Sequence, residues 1–310
     1  MKLLKPKFWQ SKRLHILALL LWPISITIQI LFFIRTKITK EVKLSVPVIC
    51  VGNIYLGGTG KTPLTIKICS LINKLNRKTT IIKKFYKNHF DETEYIKEKN
   101  GHLFCEKSRL LASKKAIEKG FEVLVLDDGF QDNSIKKNIN ILCFNEKQLI
   151  GNGFTIPSGP LRESLESIKK CHIIIINGNA NDEFENKIKL INNNLSIYYT
   201  KYIPKDIEKF KNKKYLAFAG IGNPDNFFDL LLENNLEIEK KLYFPDHYIY
   251  SQEDLTKIMN LAKGNNLEII TTEKDYFRFR NLDYNGIKHL IIKVQFSQEE
   301  KFIEEINKHL

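Results

Sequence analysis

Two hydropathy regimes divide the chain. Positions 14–34, 21 in all, carry no Lys, Arg, Asp or Glu. About 20 apolar residues are needed to cross the hydrocarbon core of a bilayer. Basic residues bracket the run: Lys5, Lys7, Lys12 and Arg13 before it, Arg35, Lys37 and Lys40 after it. No small-x-small cleavage signal follows, which speaks against a removed leader. His15, Pro23, Ser25, Thr27 and Gln29 interrupt the run. Such groups are costly at mid-bilayer and cheap in the headgroup zone. The pattern predicts, within residues 1–40, a helix lying in the cytoplasmic leaflet with its basic flanks on anionic lipid. A single span and a buried core helix are the competing readings, because near-equal flanking charge sets no orientation.

After Lys43, short apolar runs alternate with helical periodicity. Strands are predicted at 47–51, 79–82, 122–126, 139–144 and 172–176. Helices are predicted at 61–76 and 108–119, the second closed by Gly120. This alternation predicts a parallel sheet covered on both faces. The Lys/Asn-rich stretch 205–214 reads as a linker, giving one unit over 41–205 and a smaller α/β unit over 206–310. In the smaller unit, strands are predicted at 215–219, 238–244, 268–271 and 289–294. Helices there start at Asn223 with Pro224, at Ser251 with Asp254, and at a capping box formed by Ser297 and Glu300.

Composition narrows the function. Lys and Arg number 49 against 35 Asp and Glu, a net charge of +14 over 310 residues. That balance suits an anionic partner: nucleic acid, membrane surface or phosphorylated substrate. Lys, Asn and Ile are crowded throughout, so compositional bias on a solvated surface explains part of it. Aromatic and basic residues do not interleave in a stacking pattern and no nucleic-acid module is present, so nucleic acid is not expected as a partner. The five cysteines are widely spaced with no C-x-x-C. That argues against both a zinc ribbon and a disulfide framework and fits a reducing compartment.

The strongest chemistry lies in Val48-Ile-Cys-Val-Gly-Asn-Ile-Tyr-Leu-Gly-Gly-Thr-Gly-Lys-Thr62. A strand enters a Gly-rich loop that opens a helix, the arrangement that turns main-chain N–H groups and a helix N-terminus onto phosphate oxygens. The loop Tyr55, Leu56, Gly57, Gly58, Thr59, Gly60, Lys61 and Thr62 is the expected nucleotide cradle. Lys61 reaches the β- and γ-phosphates and the Thr62 hydroxyl ligates Mg²⁺. Tyr55 stands where the motif has its first Gly, and Gly57 and Gly58 supply the flexibility instead.

Asp127 and Asp128 end a buried apolar strand, at the carboxyl end where open α/β sheets bind ligands. One can hold Mg²⁺ and the other can orient the metal or the attacking hydroxyl. An Asp-Gly turn is the competing explanation. Pro157-Ser-Gly-Pro-Leu-Arg-Glu163 is a stiff loop whose Arg162 can take a phosphate in bidentate fashion, or pair with Glu163. His247 in Phe244-Pro-Asp-His247 is a candidate acid/base group. Thr272-Glu-Lys-Asp275 also follows a strand.

Together these stretches resemble the tetraacyldisaccharide 4′-kinase family, the lipid A kinases of Gram-negative bacteria. The resemblance runs from Pro6-Lys-Phe-Trp9 through the phosphate loop, Asp127-Asp-Gly-Phe-Gln131, Gly151-Asn-Gly-Phe154, the Pro157–Glu163 loop, Gly220-Ile-Gly-Asn-Pro224, Phe244-Pro-Asp-His247 and Thr272-Glu-Lys-Asp275. It implies transfer of the γ-phosphate of ATP, with Mg²⁺, to the 4′-hydroxyl of a lipid A disaccharide 1-phosphate, giving lipid IVA. It also implies two α/β domains around a cleft, the larger P-loop NTPase-like, on the cytoplasmic face of the inner membrane. The family's acidic base falls on Glu106 and its partner histidine on His247, acting with Lys61 and Asp128. Arg162, Glu163 and Tyr86 fall on the acceptor side. Three places depart from the pattern: Glu106 stands for Asp, Lys84-Phe-Tyr-Lys87 for Arg-Gly-Tyr-Gly, and Asp132 for His. A membrane-tethered P-loop ATPase acting on a protein partner would share the phosphate loop and the Asp pair without needing the other motifs. A non-enzymatic basic membrane or nucleic-acid binder is the remaining class.

Overall fold

The structure, a computed structural model, describes residues 6–11, 13–87 and 90–310. Lys5 and Lys12 of the expected basic flank lie outside the described residues. In chain order the elements begin with helix α1 (Ile16–Ile38). They continue with β1 (Val48–Gly52), α2 (Lys61–Asn73), β2 (Thr79–Lys84), α3 (Phe90–Asn100), β3 (Leu103–Glu106), α4 (Arg109–Glu118), β4 (Val123–Asp127) and β5 (Ile139–Asn145). Then come β6 (Ile173–Asn177), α5 (Asp182–Ile191), β7 (Ser196–Pro204), β8 (Lys214–Ala219), α6 (Pro224–Glu233), β9 (Glu237–Tyr243) and α7 (Gln252–Lys263). The chain closes with β10 (Glu268–Thr272), α8 (Glu273–Phe279), β11 (Ile287–Leu290), β12 (Ile292–Phe296) and α9 (Glu299–Asn307).

The fold is α/β, with two sheets. The larger has eight strands in the order β12-β7-β6-β5-β1-β4-β2-β3. Its pairings are parallel except for β12, which runs antiparallel to β7. Apolar side chains on both faces of the central strands explain why β1 and β4 are buried throughout. Ile68 and Ile72 of α2, with Phe302 and Ile306 of α9, fill one face; Ala112 and Ala116 of α4, with Phe184 and Ile188 of α5, fill the other. The smaller sheet is parallel, in the order β11-β10-β8-β9.

Three features differ from the sequence expectation. The apolar run at 289–294 is not one strand: β11 ends in the small sheet, and two residues later β12 begins in the large one. The expected 206–310 unit therefore returns its last residues to the first sheet. The capping box at Ser297 is not formed, because Gln298 is the N-cap without a side-chain bond and Ser297 instead bonds the Tyr199 carbonyl. The reciprocal box is made at Ser251 and Asp254. Helices α3, α5 and α8 and strands β3 and β7 fill stretches for which periodicity predicted nothing.

Helix α1 lies on the outside. Only Ala18 and Ser25 of it are buried, while Leu20, Trp22 and Phe33 stay at least half exposed. Of the polar interruptions of the apolar run, Ser25 and Gln29 turn inward, while His15, Pro23 and Thr27 stay exposed. Ser25 Oγ lies 3.0 Å from the Thr155 carbonyl and 2.9 Å from Ser158 Oγ, and Gln29 Nε2 donates to the Arg162 carbonyl at 3.3 Å. The helix is long and apolar enough to cross a membrane, with a mean hydropathy of 2.3 over its most apolar stretch.

Candidate active site

The strand order puts β1 beside β4, with Val51 opposite Asp127. The loop after β1 and the acidic pair after β4 therefore open at the same sheet edge. They line one cavity of about 460 Å³, with Gly57 to Pro63, Asp127 and Asp128 on one side and His247 and Lys274 on the other.

The loop is shaped from beneath. Buried Asn53 donates through Nδ2 to the Tyr55 carbonyl at 2.6 Å and to Thr59 Oγ1 at 2.9 Å. Cys143 Sγ meets the Thr59 carbonyl at 2.9 Å, and burial pushes that thiol up to about 12, so it stays a neutral donor. Gly60, the N-cap of α2, has φ +86°, a left-handed conformation that suits glycine. The Tyr202 hydroxyl lies over it, in the place a Cβ would occupy. The small-sheet loop at Gly222 closes down on the backbone nitrogen of Gly58, again with no room for a Cβ. Helix α2 thus presents its N-terminus to the cavity.

The Asp pair is held by cations. Asp128 takes the left-handed φ of +52° and receives Arg162 Nη1 at 2.9 and 3.1 Å, with Lys61 Nζ at 3.6 Å. Burial alone would raise its carboxyl; the Lys61 and Arg162 charges outweigh that and hold it well below the usual range. Asp127 is 1% exposed and bonds Thr65 Oγ1 at 3.3 Å and Lys83 Nζ at 2.6 Å. Arg109 clamps the turn from behind by donating to the Asp127 and Asp128 carbonyls at 3.0 and 2.7 Å. Asp132, where the family pattern has His, pairs with Arg109 at 3.3 Å.

Across the cavity stands His247, itself at φ +57°. Its Nδ1 lies 3.4 Å from Asp91 Oδ2, and its Nε2 lies 3.8 Å from Glu92 Oε1. Asp91 is 7% exposed and is also bonded by Arg278 Nε at 2.7 Å. Burial would raise its carboxyl, but the His247 bond and the Arg278 and Lys274 charges keep it well below the usual range. Asp91 and Glu92 open helix α3, and sequence reasoning missed both. The available signal was an acidic pair in the first turn of a helix, set against the cation-bearing Lys274 and Arg278 much later in the chain.

The expected site residues divide as follows. Gly57, Gly58, Thr59, Gly60, Lys61, Thr62, Asp127, Asp128, Arg162, Tyr86 and His247 all line the cavity. Tyr55, Leu56, Glu163 and Glu106 are not among the lining residues. Tyr55 and Leu56 are instead drawn toward the 160–161 backbone, with the Tyr55 ring fully buried. Glu163 is half-buried off the cavity, where burial pushes its carboxyl up against the opposing pull of Lys170 and Gln131. Glu106 ends the edge strand β3, and its carboxylate is taken by Lys115 at 2.5 Å. Glu106, expected from the resemblance as the base, is thus drawn to Lys115, and the carboxylate beside His247 is Asp91.

A metal ion could find hard oxygen donors in Thr62, Asp127 and Asp128. The described residues contain no group of three or more His, Cys, Asp or Glu able to hold a metal unaided. Mg²⁺ binds through one or two carboxylates together with substrate phosphates and water, so this donor set fits it.

A phosphate loop, an acidic pair on the adjacent strand and a His–carboxylate pair facing both define an α/β nucleotide-dependent phosphotransferase. Comparison with known proteins gives the family. A family model for tetraacyldisaccharide-1-P 4′-kinase matches residues 17–310, and the chain belongs to that family. A tetraacyldisaccharide 4′-kinase of Pelagibacter ubique is 44% identical over 311 residues, covering 99% of this chain and 98% of the relative. One of Rickettsia felis is 34% identical, covering 99% and 98%. The LpxK crystal structure from Aquifex aeolicus in complex with ATP shares the fold, with a TM-score of 0.71 at 23% identity over 95% of this chain and 99% of that one.

Proposed function

We propose that this protein transfers the γ-phosphate of ATP to the 4′-hydroxyl of a tetraacyldisaccharide 1-phosphate, giving lipid IVA. The observation that carries this reading is the shared cavity: the phosphate loop and Asp127–Asp128 lie on one wall and the Asp91–His247 pair on the other. Phosphoryl transfer needs placement and charge neutralisation more than covalent chemistry. Main-chain N–H groups of Gly57 to Thr62 and the α2 N-terminus cradle the phosphates. Lys61, released from Asp128, follows the γ-phosphate. Arg162 sits where it can exchange Asp128 for a phosphate oxygen. Thr62, Asp127 and Asp128 would hold Mg²⁺, which when bound offsets the charge on the β- and γ-phosphates.

The proton of the sugar hydroxyl passes to the Asp91–His247 pair. Asp91, kept ionised by Arg278, fixes the imidazole and stabilises the charge it gains. Helix α1 supplies the surface for an acylated acceptor. Its apolar side chains face outward while Ser25 and Gln29 anchor it to the loop carrying Arg162. The helix and the basic Arg35 and Lys37 would rest on the inner leaflet, so an amphiphilic acceptor reaches the cavity by lateral diffusion.

Incubation of the purified protein with Mg-ATP and the tetraacyldisaccharide 1-phosphate, read by mass spectrometry, should yield a product heavier by one phosphate. Lys61→Ala should abolish it. ATP hydrolysis at full rate without acceptor, and no phosphorylated lipid, would overturn the reading in favour of a tethered ATPase.

A further inference from the structure

Lys83 is not used by the transfer just described, yet it is 4% exposed at the carboxyl end of β2 and reaches into the cavity. Its Nζ lies 2.6 Å from Asp127 Oδ2 and 2.9 Å from Glu92 Oε2. Lys274 Nζ lies 2.5 Å from the other Glu92 oxygen. The four groups form a continuous line, Asp127–Lys83–Glu92–Lys274, from the phosphate-loop sheet to α8. Asp128 is likewise engaged by Arg162 and Lys61. Asp127 and Asp128, the two carboxylates placed to receive a divalent ion, are therefore each already bonded to a protein cation.

A buried ammonium at that distance opposes a second cation. Like charges a few ångströms apart repel far more strongly in a site of low dielectric than in water. Polyphosphate reverses the balance, since its negative charges draw away Lys61 and Arg162 and supply the metal's remaining ligands.

We propose that Lys83 is a resident cation of the transfer site: it holds Asp127 and Glu92 together as a neutralised pair and keeps divalent metal off the nucleotide-free protein. Metal then enters only with, or after, the nucleotide. The proposal rests on the nucleotide-site reading above. Lys83 is a positioning residue, since it touches the carboxylates and not the reacting atoms.

The test is Mn²⁺ binding by the full-length protein, followed by electron paramagnetic resonance of the free ion. Wild type without nucleotide should take up no Mn²⁺ at concentrations up to about 1 mM, and should take it up once a non-hydrolysable ATP analogue is added. Lys83→Met should bind Mn²⁺ without nucleotide at least about tenfold more tightly than wild type. Lys83→Arg, which keeps the charge, should restore exclusion. Uptake by nucleotide-free wild type overturns the proposal whether or not any variant folds. So does a cooperatively melting Lys83→Met that gains no affinity. Failure of the analogue to bind at all, with or without metal, instead removes the nucleotide-site reading on which the proposal rests.

Discussion

Asp91 carries a pH signature of its own. Its ordinary value is 3.8 and its value in the folded protein lies well below that. A carboxylate shifted downward stabilises the fold fully above its unfolded value, and that stability is lost as pH falls through the folded value. Asp91→Asn should cost about 1–3 kcal/mol near neutrality, because Arg278 and His247 lose a charged acceptor. Measured by denaturant unfolding, the gap to wild type should stay level down to a pH of about 4 and narrow below it. A gap that is the same at neutrality and at a pH of about 2 would contradict the assignment. The residue was illegible in the sequence for a physical reason. It sits in Phe90-Asp-Glu-Thr-Glu-Tyr-Ile-Lys-Glu-Lys-Asn100, which is dominated by charge and reads as solvated surface. Its acidic side chains pack against Lys274 and Arg278 of α8 and against Arg280 just after it, and ionic partnership adds nothing to a hydrophobic period.

Among the elements, the Gly57–Thr62 part of the phosphate loop was legible at the cavity, because glycines stand at fixed offsets there, whereas Tyr55 and Leu56 turn away toward Pro160 and Leu161. Gly60 shows why substitution is not tolerated: left-handed backbone costs an L-residue about 1–2 kcal/mol, and the Tyr202 hydroxyl fills the space of a Cβ. Gly60→Ala should weaken ATP-analogue binding at least about tenfold in calorimetry, while unchanged affinity would show that the loop does not cradle phosphate. Helix α1 was legible as an apolar segment but not in its orientation. Ser25 and Gln29 looked like costs to a lipid-facing helix and prove to be its contacts with the 155–162 loop. Charging the outward face with Leu20→Glu and Phe33→Glu should abolish co-sedimentation with vesicles containing anionic lipid and leave ATP-analogue affinity within about twofold. Vesicle binding that survives both changes would mean that α1 is not the membrane contact.

The whole molecule is two sheets tied together at several places. One tie runs between α3 and α8 and includes Lys99 with Glu273 at 2.5 Å and Arg280 with Glu94 and Glu98 at 3.0 and 3.1 Å. Another is the chain itself, which leaves the small sheet after β11 and re-enters the large one as β12. Periodicity revealed both strands as one apolar run, since nothing in a run of Ile and Val says which sheet each half will join. Phe296, Phe302 and Ile306 pack in the same core as Ile68 and Ile72 behind the phosphate loop. Removing residues 292–310 should therefore lower the melting temperature of the large sheet and with it ATP-analogue binding. A truncated chain that keeps both would show that the return is dispensable.

Which carboxylate serves the acceptor hydroxyl across the cavity from the phosphate loop decides the chemistry of the site. Transfer of labelled γ-phosphate to the tetraacyldisaccharide 1-phosphate, measured for Asp91→Asn and Glu106→Gln beside wild type, separates the two. Asp91→Asn is expected to lose about 10²–10⁴-fold in kcat with little change in KM for ATP, and Glu106→Gln to keep wild-type turnover. A large loss in Glu106→Gln with near-normal turnover in Asp91→Asn would contradict the site as described.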